Sequence, residues 1–181
     1  MGSDVRPDPA ATMLVDLLTA RRETVATAES LTGGLLAATI VEVPGASVVL
    51  RGGLIVYATD LKATLAGVPA ELLDERGPVD PDVAAALAVG ARQRCDAIWG
   101  VATTGVAGPT PQDGIAVGTV YVAVSGPAAG GQEPDTRIRR LSLAGGRAAI
   151  RAGAVANALA MLIEQIGDIR EIGDIAAGSA G

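Results

Sequence analysis

Of the fourteen Lys and Arg residues in this chain, Lys62 is the only lysine, closing the stretch Y-A-T-D-L-K (57–62). The choice matters chemically, because arginine stays charged in any protein environment whereas a buried lysine can shed its proton and act as a base. Free lysine titrates near ~10.4, so under ~0.1% of it is neutral at pH 7. Lowering that value by about three units costs roughly 4 kcal/mol, within reach of burial and nearby positive dipoles. The same letters equally fit a solvated lysine on a short amphipathic helix.

A base needs a nucleophile. Ser30 stands in E-S-L-T-G-G (29–34), just before a helical stretch, so the backbone N–H groups of Thr32, Gly33 and Gly34 are candidates to face a phosphate or the oxyanion of acyl transfer. A second glycine-bearing segment, T-T-G-V-A-G-P (103–109), also follows an apolar run. Glycine in both places permits close approach of backbone to ligand. A tight entry into a helix, capped by Ser30, explains the first segment as well. Tyr57 is either an aromatic core filler or a hydroxyl aimed at the same site.

Other chemistries drop out by composition. The chain has no histidine, which excludes Ser-His and Cys-His pairs. With a single cysteine, Cys95, zinc is improbable, no internal disulfide can form, and a reducing cytoplasm fits. The fingerprints G-x-G-x-x-G, G-x-x-x-x-G-K-[ST] and G-x-S-x-G are absent, so dinucleotide, P-loop and α/β-hydrolase readings lose support. A net charge of −6 argues against nucleic acid as partner. No run is long and uncharged enough to span a bilayer, and the N-terminus has no signal-peptide pattern, so the expectation is a cytoplasmic protein without membrane association.

The elements that must position these residues follow from period and punctuation. Helical spacing covers 10–22, 35–43, about 60–65 and 147–165. Asp80-Pro81 marks another helix start, running to about Cys95. Strand patterns cover 24–28, 48–57, 97–103, 118–125 and 136–143, the last two joined by a turn and therefore antiparallel. These alternate into a three-layer α/β/α sandwich around a mixed, mostly parallel sheet of about five strands. If strands 24–28 and 97–103 run parallel, both glycine segments meet at the carboxyl edge, where open α/β sheets bind ligands. Residues 1–9 read as a flexible N-terminus, 10–166 as one domain, and 167–181 as a tail in which I-G-D-I occurs twice, either frayed or docking on another subunit. An Ala-rich, aromatic-poor chain with apolar surface to spare points to a homo-oligomer.

Taken in order, T-A-E-S-L-T-G-G-L-L-A, G-G-L-I-V-Y-A-T-D-L-K, G-V-P-A-E-L-L, T-T-G-V-A-G-P and V-G-T-V-Y-V-A-V resemble the CinA C-terminal domain family, which includes stand-alone nicotinamide-nucleotide amidohydrolases. The resemblance covers about residues 10–165. It implies an α/β/α fold with a mixed sheet, and hydrolysis of nicotinamide mononucleotide to nicotinate mononucleotide and ammonia without metal or organic cofactor. By that likeness Ser30 matches the nucleophile, Lys62 its base and Tyr57 a third catalytic residue. Thr32, Gly33 and Gly34, with Thr104, Gly105, Ala107 and Gly108, match substrate-binding loops, and Arg147 matches a recurrent arginine that could serve the phosphate or form a surface ion pair. The likeness is to the single-domain form of the family, so a single-domain protein is the expectation.

The chain also departs from the pattern. Leu31 stands where cysteine is common, Thr59 where asparagine is frequent, and I-A-V-G (115–118) replaces a usual K-P-V-G, removing a loop lysine. A nucleotide-binding module without turnover, keeping fold and loops as a sensor or scaffold, is therefore the competing expectation.

Overall fold

In the computed structural model, which describes residues 6–128 and 134–178, the chain forms five strands and six α-helices. Helix α1 (Pro9–Arg21) is capped by Asp8, whose carboxylate accepts from the N–H groups of Ala10 and Ala11. It leads into β1 (Val25–Glu29) and α2 (Leu35–Val41). Strand β2 (Leu50–Ile55) then precedes two short helices, α3 (Thr59–Thr64) and α4 (Ala70–Arg76). Helix α5 (Pro81–Arg94) starts as its Asp-Pro signal requires, with the Asp80 carboxylate accepting from Asp82 N–H at 2.8 Å. Strands β3 (Trp99–Gly105), β4 (Thr119–Gly126) and β5 (Asp135–Ser142) precede the final helix α6 (Arg147–Gly178).

The strands form one sheet in the order β2-β1-β3-β4-β5. Strand β1 pairs in parallel with both β2 and β3, while β3–β4 and β4–β5 are antiparallel. The sheet is mixed, as expected, but not mostly parallel by pairing. The cause lies between β3 and β4, where no crossover helix intervenes: the 106–118 loop returns the chain directly alongside.

Side-chain size explains how the layers pack. On one face of the sheet the central strands present Ala26, Ala28, Ala102 and Ala123, which share a core with Val83, Leu87 and Ala88 of α5. A Cβ at Gly100 would collide with the Ala88 carbonyl, so only glycine lets α5 lie this close. The other face presents Val25, Val101, Val120, Val122 and Val124 to a larger core from α1, α2 and α6, with Leu14, Leu18, Leu36, Ile150 and Leu162 fully buried. Alternation along β1 and β3 thus sends alanine and glycine to one helix layer and larger residues to the other.

Two differences from the sequence reading have simple causes. Helix α4 is absent from the sequence expectations: its signals are the flanking Pro69 and Gly77 at its two ends, not an apolar period. Helix α6 extends past Gln165 to Gly178, since no proline interrupts it. Both I-G-D-I copies lie along it; the side chains beyond Asp168 are outside the described residues, as is 129–133 in the β4–β5 turn. The stretch Arg147–Asp168 is long and apolar enough to cross a membrane by length and composition, contrary to the expectation that no run is; half of it is buried within the domain. Its apolar stripe is core, with Ile150, Leu159, Leu162 and Ile166 among the buried residues of the α1–α2–α6 layer.

Candidate active site

The parallel pairing of β1 and β3 sets Glu29 opposite Thr103, so the segments that follow both strands leave the sheet at the same edge. Between them and the β2–α3 connection lies a cavity of about 330 Å³. Ser30, Leu31, Tyr57, Lys62, Gly105, Ala107, Gly108 and Arg147 all line it. Residues far apart in the chain therefore share one wall.

Lys62 lies on α3 and is 1% exposed. Its Nζ lies 3.1 Å from Ser30 Oγ, and it donates to the carbonyl of Val56 at 2.8 Å and of Tyr57 at 3.4 Å. Burial lowers its pKa to about 8, partly opposed by the Asp60 carboxylate two residues earlier on the same helix. The two carbonyls define what the neutral amine must do. Its two N–H bonds satisfy Val56 and Tyr57, and its lone pair is left to accept from the Ser30 hydroxyl. In the charged form the third N–H points at Ser30 Oγ instead. The solvated-lysine reading fails on burial.

The Ser30 segment is held from both sides. Glu29, 1% exposed, folds its carboxylate over the start of α2 and accepts from the N–H groups of Gly34 (3.0 Å), Leu36 (3.0 Å) and Ala37 (2.8 Å) and from the Thr27 hydroxyl (3.2 Å). This satisfies the orphan donors of a helix whose own N-cap, Gly34, has no side chain to offer. On the other side Arg151 of α6 donates to the carbonyls of Leu31 (3.0 Å) and Thr32 (2.6 Å). Neither residue is among the candidates that the sequence offers. The signals were present: a carboxylate preceding a glycine helix entry, and an arginine four residues after Arg147, on the same helix face.

These bonds change the expected oxyanion donors. Among the three N–H groups expected to face an anion, that of Gly33 donates to the Ser30 carbonyl at 3.1 Å and that of Gly34 to Glu29. The Ser30 N–H itself is used by the Thr103 carbonyl. Among the described residues, the N–H groups of Leu31 and Thr32 have no intramolecular acceptor. Thr32 and Thr104 are not among the lining residues: their hydroxyls are engaged by Thr103 Oγ1 at 2.7 Å and by the Pro78 carbonyl at 2.6 Å. Gly33 and Gly34, both at positive φ, shape the turn without lining the cavity.

Tyr57 is no core filler, being 59% exposed at the cavity mouth. Its hydroxyl accepts from Arg147 Nη2 at 3.0 Å, while Arg147 Nη1 donates to the Gly108 carbonyl at 3.0 Å. Arg147 forms no ion pair among the described residues. Its guanidinium thus bridges the β2–α3 connection and the 105–108 loop, and no carboxylate among the described residues lines the cavity to compete for it.

Comparison with known proteins finds relatives of the whole domain. The profile of the CinA C-terminal domain matches residues 8–166. A CinA-like protein of Frankia casuarinae is 46% identical over 147 residues, covering 81% of this chain and 33% of that protein. One from Anaeromyxobacter dehalogenans is 46% identical over 164 residues, 89% of this chain and 37% of its own length. The chain therefore spans about a third of the curated relatives it matches. Among solved structures, the competence/damage inducible protein CihA of Agrobacterium tumefaciens superposes with a TM-score of 0.79 at 35% identity, covering 86% of this chain and 93% of that one. A CinA superfamily protein of Klebsiella pneumoniae gives 0.81 at 29% identity, covering 88% and 96%.

Proposed function

The chain belongs to the CinA C-terminal domain family, and from that premise we propose that it hydrolyses the carboxamide of nicotinamide mononucleotide to nicotinate mononucleotide and ammonia. The observation that carries the reading is the buried Lys62 amine 3.1 Å from Ser30 Oγ, with its pKa lowered to about 8. A lysine tuned toward neutrality beside a hydroxyl is the arrangement that activates a serine when no histidine is present.

In the proposed sequence, Lys62 Nζ takes the Ser30 proton as Oγ attacks the carboxamide carbon. The oxyanion is received by the N–H groups of Leu31 and Thr32, which have no other acceptor among the described residues. The protonated Lys62 returns its proton to the leaving nitrogen, ammonia departs, and the neutral amine then activates the water that cleaves the acyl-enzyme. Tyr57 and Arg147 border the same cavity, and the lack of carboxylates among its described lining residues favours a substrate with a negative charge. Arg147 is positioned to receive the phosphate, replacing the lysine that the I-A-V-G segment lacks.

Ammonia release from purified protein with nicotinamide mononucleotide, against free nicotinamide as control, tests the reading. Release only from the nucleotide supports it. Tight binding of the nucleotide with no ammonia assigns the chain instead to the non-catalytic module.

A further inference from the structure

One of the groups that hold the Ser30 segment is a cation bonded to neither the nucleophile nor its base. Arg151 lies one helical turn beyond Arg147, half-buried under the segment, with Nε on the Leu31 carbonyl and Nη2 on the Thr32 carbonyl. No carboxylate pairs with it among the described residues. Two of its five donors go to two consecutive peptide carbonyls, a use that suits the rigid fork of a guanidinium and not the point charge of an ammonium.

Peptide planarity turns this grip into a direction. In a trans peptide the N–H points opposite the carbonyl, so holding the Leu31 carbonyl toward α6 sends the Thr32 N–H away from α6. Holding the Thr32 carbonyl does the same for the Gly33 N–H, and that group is found on the Ser30 carbonyl at 3.1 Å. Of these two directed groups, the Thr32 N–H alone has no acceptor among the described residues. Its own side chain is pinned separately by the hydroxyl contact with Thr103 at 2.7 Å. Glu29 completes the clamp from the other end by consuming the Gly34, Leu36 and Ala37 donors. An anion at this turn therefore finds only the donors nearest Ser30.

We infer that Arg151 is a positioning residue for catalysis, orienting the Leu31–Thr32 peptide so that its N–H is preset for the oxyanion that forms on attack by Ser30. The inference rests on the Ser30–Lys62 reaction proposed above. It separates from a structural role because a preset donor acts only as charge develops, so its loss lowers kcat and leaves substrate affinity alone.

The test uses two readouts on the 181-residue chain with Arg151→Lys, Arg151→Ala and the unaltered protein. The first is ammonia release from nicotinamide mononucleotide. The second is labelling of Ser30 by a fluorophosphonate, in which Oγ–P forms, P–F breaks, Lys62 takes the proton and fluoride leaves. Arg151→Ala is expected to lose roughly 10²-fold in kcat and in labelling rate, the usual cost of one oxyanion donor. KM should change less than about two-fold, and the pH at half-maximal labelling should not move, because Lys62 is untouched. Added guanidinium ion should restore part of the Arg151→Ala rate, and Arg151→Lys should stay near the Ala level. Wild-type kcat and labelling rates in Arg151→Ala overturn the inference, as does a loss confined to KM or to thermal stability. If the unaltered protein is labelled at Ser30 but releases no ammonia, the substrate is wrong while the labelling comparison still decides Arg151. If Ser30 is not labelled and no ammonia appears, the reaction and the inference fall together.

Discussion

Arg147 of α6 and Tyr57, ninety positions earlier in the β2–α3 connection, meet guanidinium to phenol at 3.0 Å across the cavity mouth. The phenol oxygen accepts there, so its own O–H stays free to donate into the cavity. Tyr57→Phe should therefore act partly through Arg147, by releasing one of the two contacts that hold the guanidinium. For a phosphorylated substrate KM should rise several-fold in both Tyr57→Phe and Arg147→Ala. The double variant should be less impaired than the product of the singles, because the two residues share one contact. Strict multiplication of the effects in steady-state kinetics would show that they act independently.

Lys62→Arg keeps the charge but cannot act as a base near neutral pH. It is expected to lose nearly all kcat, by several orders of magnitude, as is Ser30→Ala, whereas binding of the nucleotide measured by calorimetry should persist in Ser30→Ala. Turnover at near wild-type rate by the Lys62→Arg variant would assign Lys62 a purely electrostatic part.

The acid limb of kcat/KM reports the base in the free enzyme. With Lys62 lowered to about 8, activity should climb with pH and level off above that value. Asp60 holds the Lys62 pKa up against burial. Asp60→Asn should thus move the limb to lower pH, with little change on the plateau. A limb that stays in place, in a profile taken well to either side of the Lys62 titration, would remove Asp60 from the tuning.

Burial of Lys62 also leaves a signature in stability. Its folded pKa lies below the unfolded value, so between about 8 and 10.5 the unfolded chain binds more protons and stability rises with pH. The gain is on the order of 3 kcal/mol across that window, and the corresponding penalty is fully present below about pH 8. Lys62→Met, apolar and of similar length, should be more stable than wild type at neutral pH, with the difference narrowing toward pH 10.5. Parallel stability curves for the two proteins, from denaturant melts over that range, would contradict the assignment.

Gly90 of α5 has the Ala66 backbone directly above it, where a Cβ would collide with the carbonyl. Ala66 follows α3, so this contact sets the height of the helix that carries Lys62. Gly90→Ala should cost stability at the upper end of ~1–3 kcal/mol and lower kcat in the fraction that remains folded. Unchanged melting and turnover would mean that α3 is positioned elsewhere.

Much of this molecule follows from local pattern. Strand and helix segments are legible because alternating and helical periods survive in an alanine-rich sequence, and Asp80-Pro81 starts α5 through its own side chain. Ser30 and Lys62 stand out by residue type, since a chain without histidine has few other ways to build a nucleophile and base. That the two glycine segments share an edge needs only the parallel sense of β1 and β3.

What only the tertiary structure decided is which groups remain free. The Thr32, Gly33 and Gly34 N–H groups look equivalent in sequence, yet Glu29 and the Ser30 carbonyl take two of them, and Arg151, 119 positions from Thr32, directs the third. Likewise, Tyr57 could be core or site until Arg147 was found on its hydroxyl. Lys62 could be solvated until β1, β2 and α3 closed around it, and its pKa depends on that enclosure. Hydrogen-bond capacity and desolvation are properties of a packed neighbourhood drawn from distant parts of the chain. No local window contains them, and they decide which of the sequence's candidate groups can do chemistry.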